Sequence, residues 1–221
     1  MTRRSLQELA SWCLYSVLRG PCWALATLAF GYRSFGREHV PVSGPVLIVS
    51  NHQSNLDPPL VGLALSRQLK YLARHGLFFW PFSWLILSLG AVRLEKKAGG
   101  LSGIRTTLNL LKQNEAVLVF PEGSRTSDGF LGPMQSGFCV LARRSGATIV
   151  PVAIEGAFEA LPRGSMFPRP SQITVVVAPP ITPEQVNRMS DDELVAATTA
   201  RINEGRRRAR CERGGRSSAA D

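Results

Sequence analysis

Short apolar runs separated by helix-length segments constrain the fold of this chain more than any other feature. Four such runs are predicted to be buried strands, at residues 45–50, 116–120, 148–154 and 173–178. Residues 58–68 begin with prolines and residues 99–113 carry leucine and isoleucine at helical spacing, so both are predicted helices. Ser190 and Glu193 form a capping box that predicts a final helix. This alternation predicts an α/β fold with a mixed central sheet flanked by helices.

The amino-terminal segment is strongly apolar but interrupted. Residues 12–32 contain Arg19 and Pro21, and neither uninterrupted piece reaches the roughly 20 apolar residues that span a bilayer. Because proline favours the first turn of a helix, two short helices hinged at this point are predicted. We interpret residues 1–34 as a membrane-associating helical hairpin, the alternative being a hairpin packed on the domain core. A second apolar stretch, residues 77–89, is a further candidate for burial in the core or in lipid.

Charge is concentrated at the carboxyl-terminal end. The formal net charge is +10, and seven arginines lie between Arg201 and Arg216. Residues 201–221 are interpreted as a basic, flexible tail that is either solvated or attracted to anionic lipid. Aromatic side chains do not interleave with these arginines, so binding of nucleic acid is not predicted. The remaining residues, 35–200, are predicted to form one α/β domain.

The four cysteines give no sign of a metal site or a disulfide framework. They form no C-x-x-C pair, so neither zinc ligation nor a set of disulfides is predicted. A reducing compartment facing the cytosol is the expected environment.

The first chemical motif follows the strand at residues 45–50. In Asn51-His-Gln-Ser-Asn-Leu-Asp57, a histidine and an aspartate stand five residues apart across a turn. A neutral imidazole is well suited to act as a general base near pH 7. The carboxylate of Asp57 could accept from one ring nitrogen of His52 and so fix its tautomer. A loop histidine that caps backbone groups is the alternative for the motif taken alone.

The second motif follows the strand at residues 116–120. In Phe120-Pro-Glu-Gly-Ser-Arg-Thr126, the Pro-Glu-Gly segment predicts a sharp turn that exposes the residues after it. Arg125 carries a planar guanidinium suited to phosphate. Glu122 could hold Arg125 or a substrate hydroxyl, and a structural Glu122–Arg125 pair is the alternative. Because ligands of α/β sheets gather beyond the carboxyl ends of strands, both motifs lie where a site is expected.

Together, the two motifs and their order resemble the PlsC-type acyltransferases, the 1-acyl-glycerol-3-phosphate acyltransferase family. The resemblance extends from Gly44 to Ala157. Arg74 follows Tyr-Leu-Ala where the family has a lysine, and Lys96 follows Glu95 where the family usually ends a block with Asp-Arg. These differences keep the sign of the charge but change its geometry.

The resemblance implies a role for each matching residue. His52 becomes the catalytic base and Asp57 its orienting carboxylate. The substrate-binding residues would be those that clamp the acceptor's phosphate or shape its pocket: Arg74, Lys96, Glu122, Gly123, Ser124 and Arg125. Arg93 and Lys97 flank Lys96 and could share its role.

The implied reaction transfers a fatty acyl group from acyl-CoA or acyl-carrier protein to a lysophospholipid hydroxyl, giving phosphatidic acid from 1-acyl-glycerol-3-phosphate. It implies no cofactor or metal, and a position at the cytoplasmic face of the inner (plasma) membrane. The sequence has no G-x-S-x-G elbow, in keeping with direct transfer. Three alternatives stay open: an acyltransferase for another lysolipid head group, a phospholipid hydrolase, and a non-enzymatic lipid-binding or membrane-tethering protein.

Overall fold

The structure, a computed structural model, describes residues 3–73, 88, 90–93 and 100–214. Its strands are β1 Arg33–Phe35, β2 Val46–Ser50, β3 Leu69–Ala73, β4 Ala91–Arg93, β5 Ala116–Val119, β6 Thr148–Glu155 and β7 Thr174–Val177. Its helices are α1 Arg3–Phe30, α2 Asp57–Ala64, α3 Gly100–Lys112, α4 Gly137–Ser145, α5 Ala157–Ala160, α6 Pro183–Arg188 and α7 Asp191–Gly214, with a 3₁₀ turn at Arg37–His39.

The described strands form one seven-stranded mixed sheet in the order β1-β7-β6-β2-β5-β3-β4. Neighbouring strands are parallel except β6 and β7, which run antiparallel. The side chains of β2 alternate between two cores, since Ile48 packs in one cluster and Leu47 in the other. Helices α1 and α2 cover the first core, and α3, α4 and α7 cover the second. The predicted α/β class, with a mixed sheet flanked by helices, is confirmed.

All four predicted strands are present, and the segment predicted as residues 99–113 forms α3. The capping box is also confirmed: the Ser190 N–H donates to Glu193 Oε2 at 2.7 Å, and the Glu193 N–H donates to Ser190 Oγ at 3.2 Å. The helix predicted over residues 58–68 is wrong in its length, since α2 ends at Ala64 and β3 begins at Leu69. Beside β3, Gly90 has φ +95, and a Cβ there would collide with the Leu69 carbonyl oxygen.

The predicted hinge at Pro21 is wrong, because α1 is one continuous helix with Pro21 inside it. An internal proline costs a helix about 3 kcal/mol, so packing must stabilise both halves. Before Pro21, the Tyr15 hydroxyl donates to the Gly62 carbonyl at 3.3 Å, and Arg19 donates to the Leu63 carbonyl at 3.0 Å. After Pro21, Ala26 is buried in the sheet core. Contacts with α2 and the core therefore stabilise the helix on both sides of the proline.

The interpretation of residues 201–221 as a flexible tail is wrong for residues 201–214, which form the second half of α7. Ile202 and Ala209 are fully buried against the sheet, and Gly205 lies so close to Ala153 that an added Cβ would approach its Cβ to 2.8 Å. An apolar stripe at helical spacing thus continues through the basic segment, and the arginines surround it. Residues 215–221 lie outside the described part of the chain.

Candidate active site

His52 and Asp57 are joined as the sequence predicts. His52 Nδ1 lies 2.7 Å from Asp57 Oδ2, and the side chain of Asp57 is fully buried while that of His52 is 19% exposed. With Nδ1 directed to the carboxylate, Nε2 is the ring nitrogen left for a substrate. The pair therefore has the base-and-orienter geometry of a catalytic dyad.

Asp57 also closes its own loop. Its Oδ2 accepts the backbone N–H of Gln53 at 2.5 Å and that of Ser54 at 2.8 Å. Asp57 is the first residue of α2, followed by two prolines that suit the first turn. Burial raises the pKa of Asp57, and the bonds from His52, Ser54 and Gln53 oppose that rise by favouring the charged form. The same contacts that fix the carboxylate therefore help to keep it ionised.

Three polar side chains of the loop fasten it to the rest of the fold. The amide of Asn51 donates to and accepts from the backbone of Ile154, both at 2.9 Å. Gln53 Oε1 accepts the N–H of Ala157 at 3.2 Å, and Ser54 Oγ donates to the Leu161 carbonyl at 2.8 Å. All three side chains are buried. They fix the loop that carries the histidine, and sequence reasoning did not assign them this role.

The second motif lies beside the first because β2 and β5 are adjacent parallel strands that end at the same edge of the sheet. Phe120 stacks on His52 with ring centroids 3.8 Å apart and an angle of 12° between planes. The N–H of Gly123 donates to the Phe120 carbonyl at 3.1 Å, which closes the predicted turn. Gly123 has φ +73, a conformation that favours glycine.

Glu122 joins the two motifs. Its Oε1 accepts the backbone N–H of His52 at 2.7 Å, and its Oε2 accepts the N–H of Gly132 at 2.8 Å. Burial raises the pKa of Glu122, and these two N–H groups oppose the rise. Within the described ranges no ion pair joins Glu122 to Arg125, so the structural Glu122–Arg125 pair considered from the sequence is not formed. The carboxylate of Glu122 instead fixes the backbone of His52, the residue that carries the imidazole.

Arg125 is available for a ligand. The N–H of Thr126 donates to the His52 carbonyl at 2.9 Å, so the segment carrying Arg125 is bonded directly to the loop of His52. Arg125 is half-buried, and its guanidinium makes no hydrogen bond or ion pair with any residue the structure describes. Ser124 is exposed beside it. A cation that has no ion-pair partner among the described residues, on a segment bonded to the loop of His52, is suited to an anionic substrate.

Two predicted members of the phosphate clamp, Arg74 and Lys96, lie outside the described residues, as does Lys97. Arg93 ends β4, but its side chain is also outside the description. The apolar stretch at residues 77–89 is likewise outside it, apart from Ser88. Among the described residues, no group of three or more His, Cys, Asp or Glu side chains could hold a metal ion.

A buried ion pair supports the far side of the second motif. Arg206 Nε donates to Glu155 Oε2 at 2.7 Å, and its Nη2 donates to the Gly129 carbonyl at 2.6 Å. Gly129 also accepts from Gln53 Nε2 at 3.4 Å. An arginine from α7, in the segment interpreted as a tail, therefore holds the loop that leads to Gly132 and Glu122. A cleft of about 580 Å³ lies between this loop and α7, but no predicted site residue lines it.

Comparison with known proteins identifies the family. The acyltransferase family model matches residues 32–155, more than half of the chain, and that range contains both motifs. The chain belongs to the acyltransferase family. The fold also matches the crystal structure of PlsC, the 1-acyl-sn-glycerophosphate (LPA) acyltransferase from Thermotoga maritima. The TM-score is 0.76 at 23% identity, over 90% of this chain and 80% of that one.

Curated relatives of this chain extend the comparison. It is 30% identical over 162 residues to a chloroplastic 1-acyl-sn-glycerol-3-phosphate acyltransferase of Brassica napus, covering 71% of this chain and 47% of that protein. It is 25% identical over 194 residues to the 1-acyl-sn-glycerol-3-phosphate acyltransferase of Bacillus subtilis, covering 86% and 94% respectively. The chain spans about half the length of the plant and algal relatives it matches, for example 54% of the Chlamydomonas reinhardtii protein.

Replacing Glu122 by glutamine is expected to destabilise the fold. An amide has one acceptor oxygen, so the N–H of either His52 or Gly132 loses its partner at a cost of about 1–3 kcal/mol. For a chain of this size the melting temperature falls by roughly 2–10 °C, measured by circular dichroism. Glu204→Gln removes an exposed carboxylate paired with Arg207 and is the control, with an expected shift of about 2 °C or less. Equal shifts for the two variants would rule out a bridging role for Glu122.

Proposed function

We propose that this acyltransferase moves a fatty acyl group from an acyl thioester to the free hydroxyl of a lysophospholipid, with 1-acyl-glycerol-3-phosphate as acceptor and phosphatidic acid as product. The observation that carries the proposal is the His52 ring, bonded through Nδ1 to buried Asp57, on a loop bonded to the segment that carries Arg125. The names of the Brassica and Bacillus relatives support the same acceptor.

The proposed chemistry is direct transfer. The Nε2 atom of His52 takes the proton of the acceptor hydroxyl as the oxygen attacks the thioester carbonyl. The tetrahedral intermediate then expels the thiolate, and His52 returns the proton to that sulfur. Asp57 holds the ring tautomer and stabilises the imidazolium between the two proton transfers. General-base assistance of this kind contributes about 10²–10⁴-fold to the rate.

The proposed acceptor site lies on the Arg125 side of the imidazole. A phosphate held by the Arg125 guanidinium would bring a nearby glycerol hydroxyl toward Nε2, and Ser124 offers a hydroxyl at the same turn. Arg74 and Lys96 stay in the proposal as further phosphate ligands on the strength of the family motifs. Glu122 and Gly123 shape this site through the backbone turn they form.

The proposed association with membrane rests on α1. Its stretch Cys13–Phe30 is long and apolar enough to cross a bilayer, judged by length and composition alone, and little of it is buried. Tyr15 and Arg19 face α2, whereas Trp23, Leu25 and Leu28 are exposed. A helix with one face on the protein and an apolar face free is suited to lying in a lipid interface. The cysteines of the described chain are free thiols, which supports placing the enzyme at the cytoplasmic face of the inner membrane.

The test of the function is an assay of purified protein with acyl-CoA and with acyl-acyl-carrier protein as donors. Acceptors are 1-acyl-glycerol-3-phosphate, lysolipids with other head groups, and no acceptor. The expected result is thiol release together with phosphatidic acid formation only when the phosphorylated acceptor is present. Preference for another lysolipid would show that the acceptor is that lysolipid and not 1-acyl-glycerol-3-phosphate. Free fatty acid formed without an acceptor would show that the protein is a hydrolase and not a transferase.

Replacing Arg125 by alanine is expected to raise the KM for the acceptor by about tenfold, with a much smaller effect on the KM for the donor. The reason is the loss of one charge-assisted contact to phosphate. Initial rates measured with each substrate varied separately give both constants. Arg144→Ala removes the same charge from an exposed position on α4 and is the control. Equal increases in both KM values would contradict the assignment of Arg125 to the phosphate site.

A further inference from the structure

The loop between α5 and β7 presents two large apolar side chains to solvent. Met166 is 86% exposed and Phe167 is 79% exposed. Isolated apolar residues are common on protein surfaces, but here two neighbours form the tip of one loop. An exposed pair of this kind is suited to contact with an apolar surface.

The fold holds this tip in place. The N–H of Ser165 donates to the Pro162 carbonyl at 3.1 Å, closing a turn in which Gly164 has φ +92. At the base of the loop, the N–H of Arg169 donates to the Ala160 carbonyl at 2.7 Å. Prolines at positions 162, 168 and 170 restrict the backbone further. Met166 and Phe167 lie between these two fixed points.

The charges within this loop are all positive. Residues 161–173 contain no Asp or Glu, and Arg163 and Arg169 flank the apolar pair. Both arginines are exposed, and neither guanidinium forms an ion pair with a residue in the described ranges. An aromatic and a thioether side chain between two exposed cations is suited to an interface of hydrocarbon and anionic head groups.

The loop also lies beside α1 and beside the catalytic loop. Where it returns to the sheet, the N–H of Ile173 donates to the Phe30 carbonyl at the end of α1, at 2.9 Å. Where it begins, the Leu161 carbonyl accepts from Ser54 of the catalytic loop. The exposed apolar side chains of α1 nearest that end include Leu28, which is 87% exposed. Two apolar surfaces therefore flank the same region of the molecule.

We propose that residues 162–170, with Met166 and Phe167 at the tip, form a second membrane contact that inserts into a bilayer with anionic head groups. This proposal rests on the membrane association proposed for α1 and adds a separate surface to it. Contact at both places holds the carboxyl edge of the sheet against the lipid surface. His52 then faces the phase from which a lysolipid acceptor arrives.

The test is a spin label placed on the tip of the loop. Cys13, Cys22 and Cys211 are replaced by serine, while Cys139 is kept because it is buried and burial raises the pKa of its thiol to about 11. A nitroxide is attached in turn to Phe167→Cys, to Leu28→Cys on α1, and to Val42→Cys. Val42 is the matched control, because it is 85% exposed and precedes β2 at the opposite end of the strands.

Collisions of each label with oxygen and with a water-soluble nickel chelate are measured by electron paramagnetic resonance. The protein is bound to vesicles of phosphatidylglycerol and phosphatidylcholine in equal parts. The ratio of oxygen to nickel collisions is expected to rise several-fold at positions 28 and 167 and to stay at its aqueous value at position 42. Insertion at 28 without insertion at 167 would overturn the second contact and leave the α1 contact standing. Aqueous values at both would remove the membrane association and this inference together.

Two further measurements test the role of lipid charge and contact between copies of the chain. With Arg163→Gln and Arg169→Gln, or on phosphatidylcholine alone, the ratio at position 167 is expected to fall by at least half. An unchanged ratio would overturn the role of anionic head groups. Immobilisation of the label at 167 in the absence of vesicles, increasing with protein concentration, would assign the tip to a second copy of the chain and overturn the proposal.

Discussion

Replacing His52 by alanine is expected to lower kcat for acyl transfer by about 10²–10⁴-fold, the range that a positioned general base contributes. The acceptor hydroxyl then loses the imidazole that takes its proton as it attacks. The His52 ring stacks on Phe120, whereas the bonds to Glu122 and Thr126 are made by the His52 backbone. Replacing the side chain therefore leaves those two bonds in place. The rate is measured as thiol release at saturating donor and acceptor.

Two controls distinguish a loss of catalytic activity from a loss of the folded structure. Circular dichroism and the melting temperature report whether the His52→Ala protein is folded. His39→Ala removes another imidazole, one that contacts the Val177 carbonyl outside the site at 2.9 Å, and is expected to keep its activity. A folded His52→Ala enzyme with activity close to that of the parent would remove the base assignment.

Replacing Asp57 by asparagine is expected to lower kcat by about 10²–10³-fold while the protein stays folded. An amide has the shape of the carboxylate, and its oxygen can accept the N–H groups of Gln53 and Ser54 as Oδ2 does now. The Oδ1 atom has no partner among the described residues, so the amide nitrogen fits there without opposing a donor. What is lost is the negative charge that stabilises the imidazolium during the reaction.

The measurement is again the rate of thiol release under saturating conditions. Asp192→Asn, at an exposed position in the first turn of α7, makes the same chemical change away from the site and is the control. If Asp57→Asn left kcat within about twofold, the charge of Asp57 would have no part in the chemistry.

The pairing of His52 with Asp57 could be predicted because it is local. His52 and Asp57 are five residues apart on a turn that follows a buried strand, and so short a segment allows few arrangements of the two side chains. The meeting of the two motifs was also predictable, because parallel strands place their carboxyl ends at one edge of a sheet. The structure adds that β2 and β5 are immediate neighbours, which the order of elements along the chain does not specify.

The partners of Glu122 could not be predicted, because they are backbone N–H groups. Every residue other than proline carries such a group, so its use as a donor leaves no mark in the sequence. Sequence reasoning considered only side-chain and substrate partners and therefore looked to Arg125. The roles of Asn51 and Gln53, which also bond to distant backbone, were missed for the same reason.

Tertiary packing determines the elements that were missed or wrongly predicted from the sequence. Strand β1, Arg-Ser-Phe, has no apolar run and exists because β7 pairs with it. Pro21 is accommodated because α1 is held on both sides of it. The arginines of α7 suggested a solvated tail, although Ile202 and Ala209 carried the helical spacing of a buried stripe. In each case contacts between residues distant in the chain decided the structure of the segment.

The most direct test of the central claim compares kcat for His52→Ala, Asp57→Asn and the double variant. If Asp57 acts only by orienting and stabilising the imidazole, removing its charge has no further effect once the ring is gone. The double variant is then expected to match His52→Ala within about twofold. Losses that multiply in the double variant would show that the two residues act independently, and would contradict the account of them as one catalytic unit.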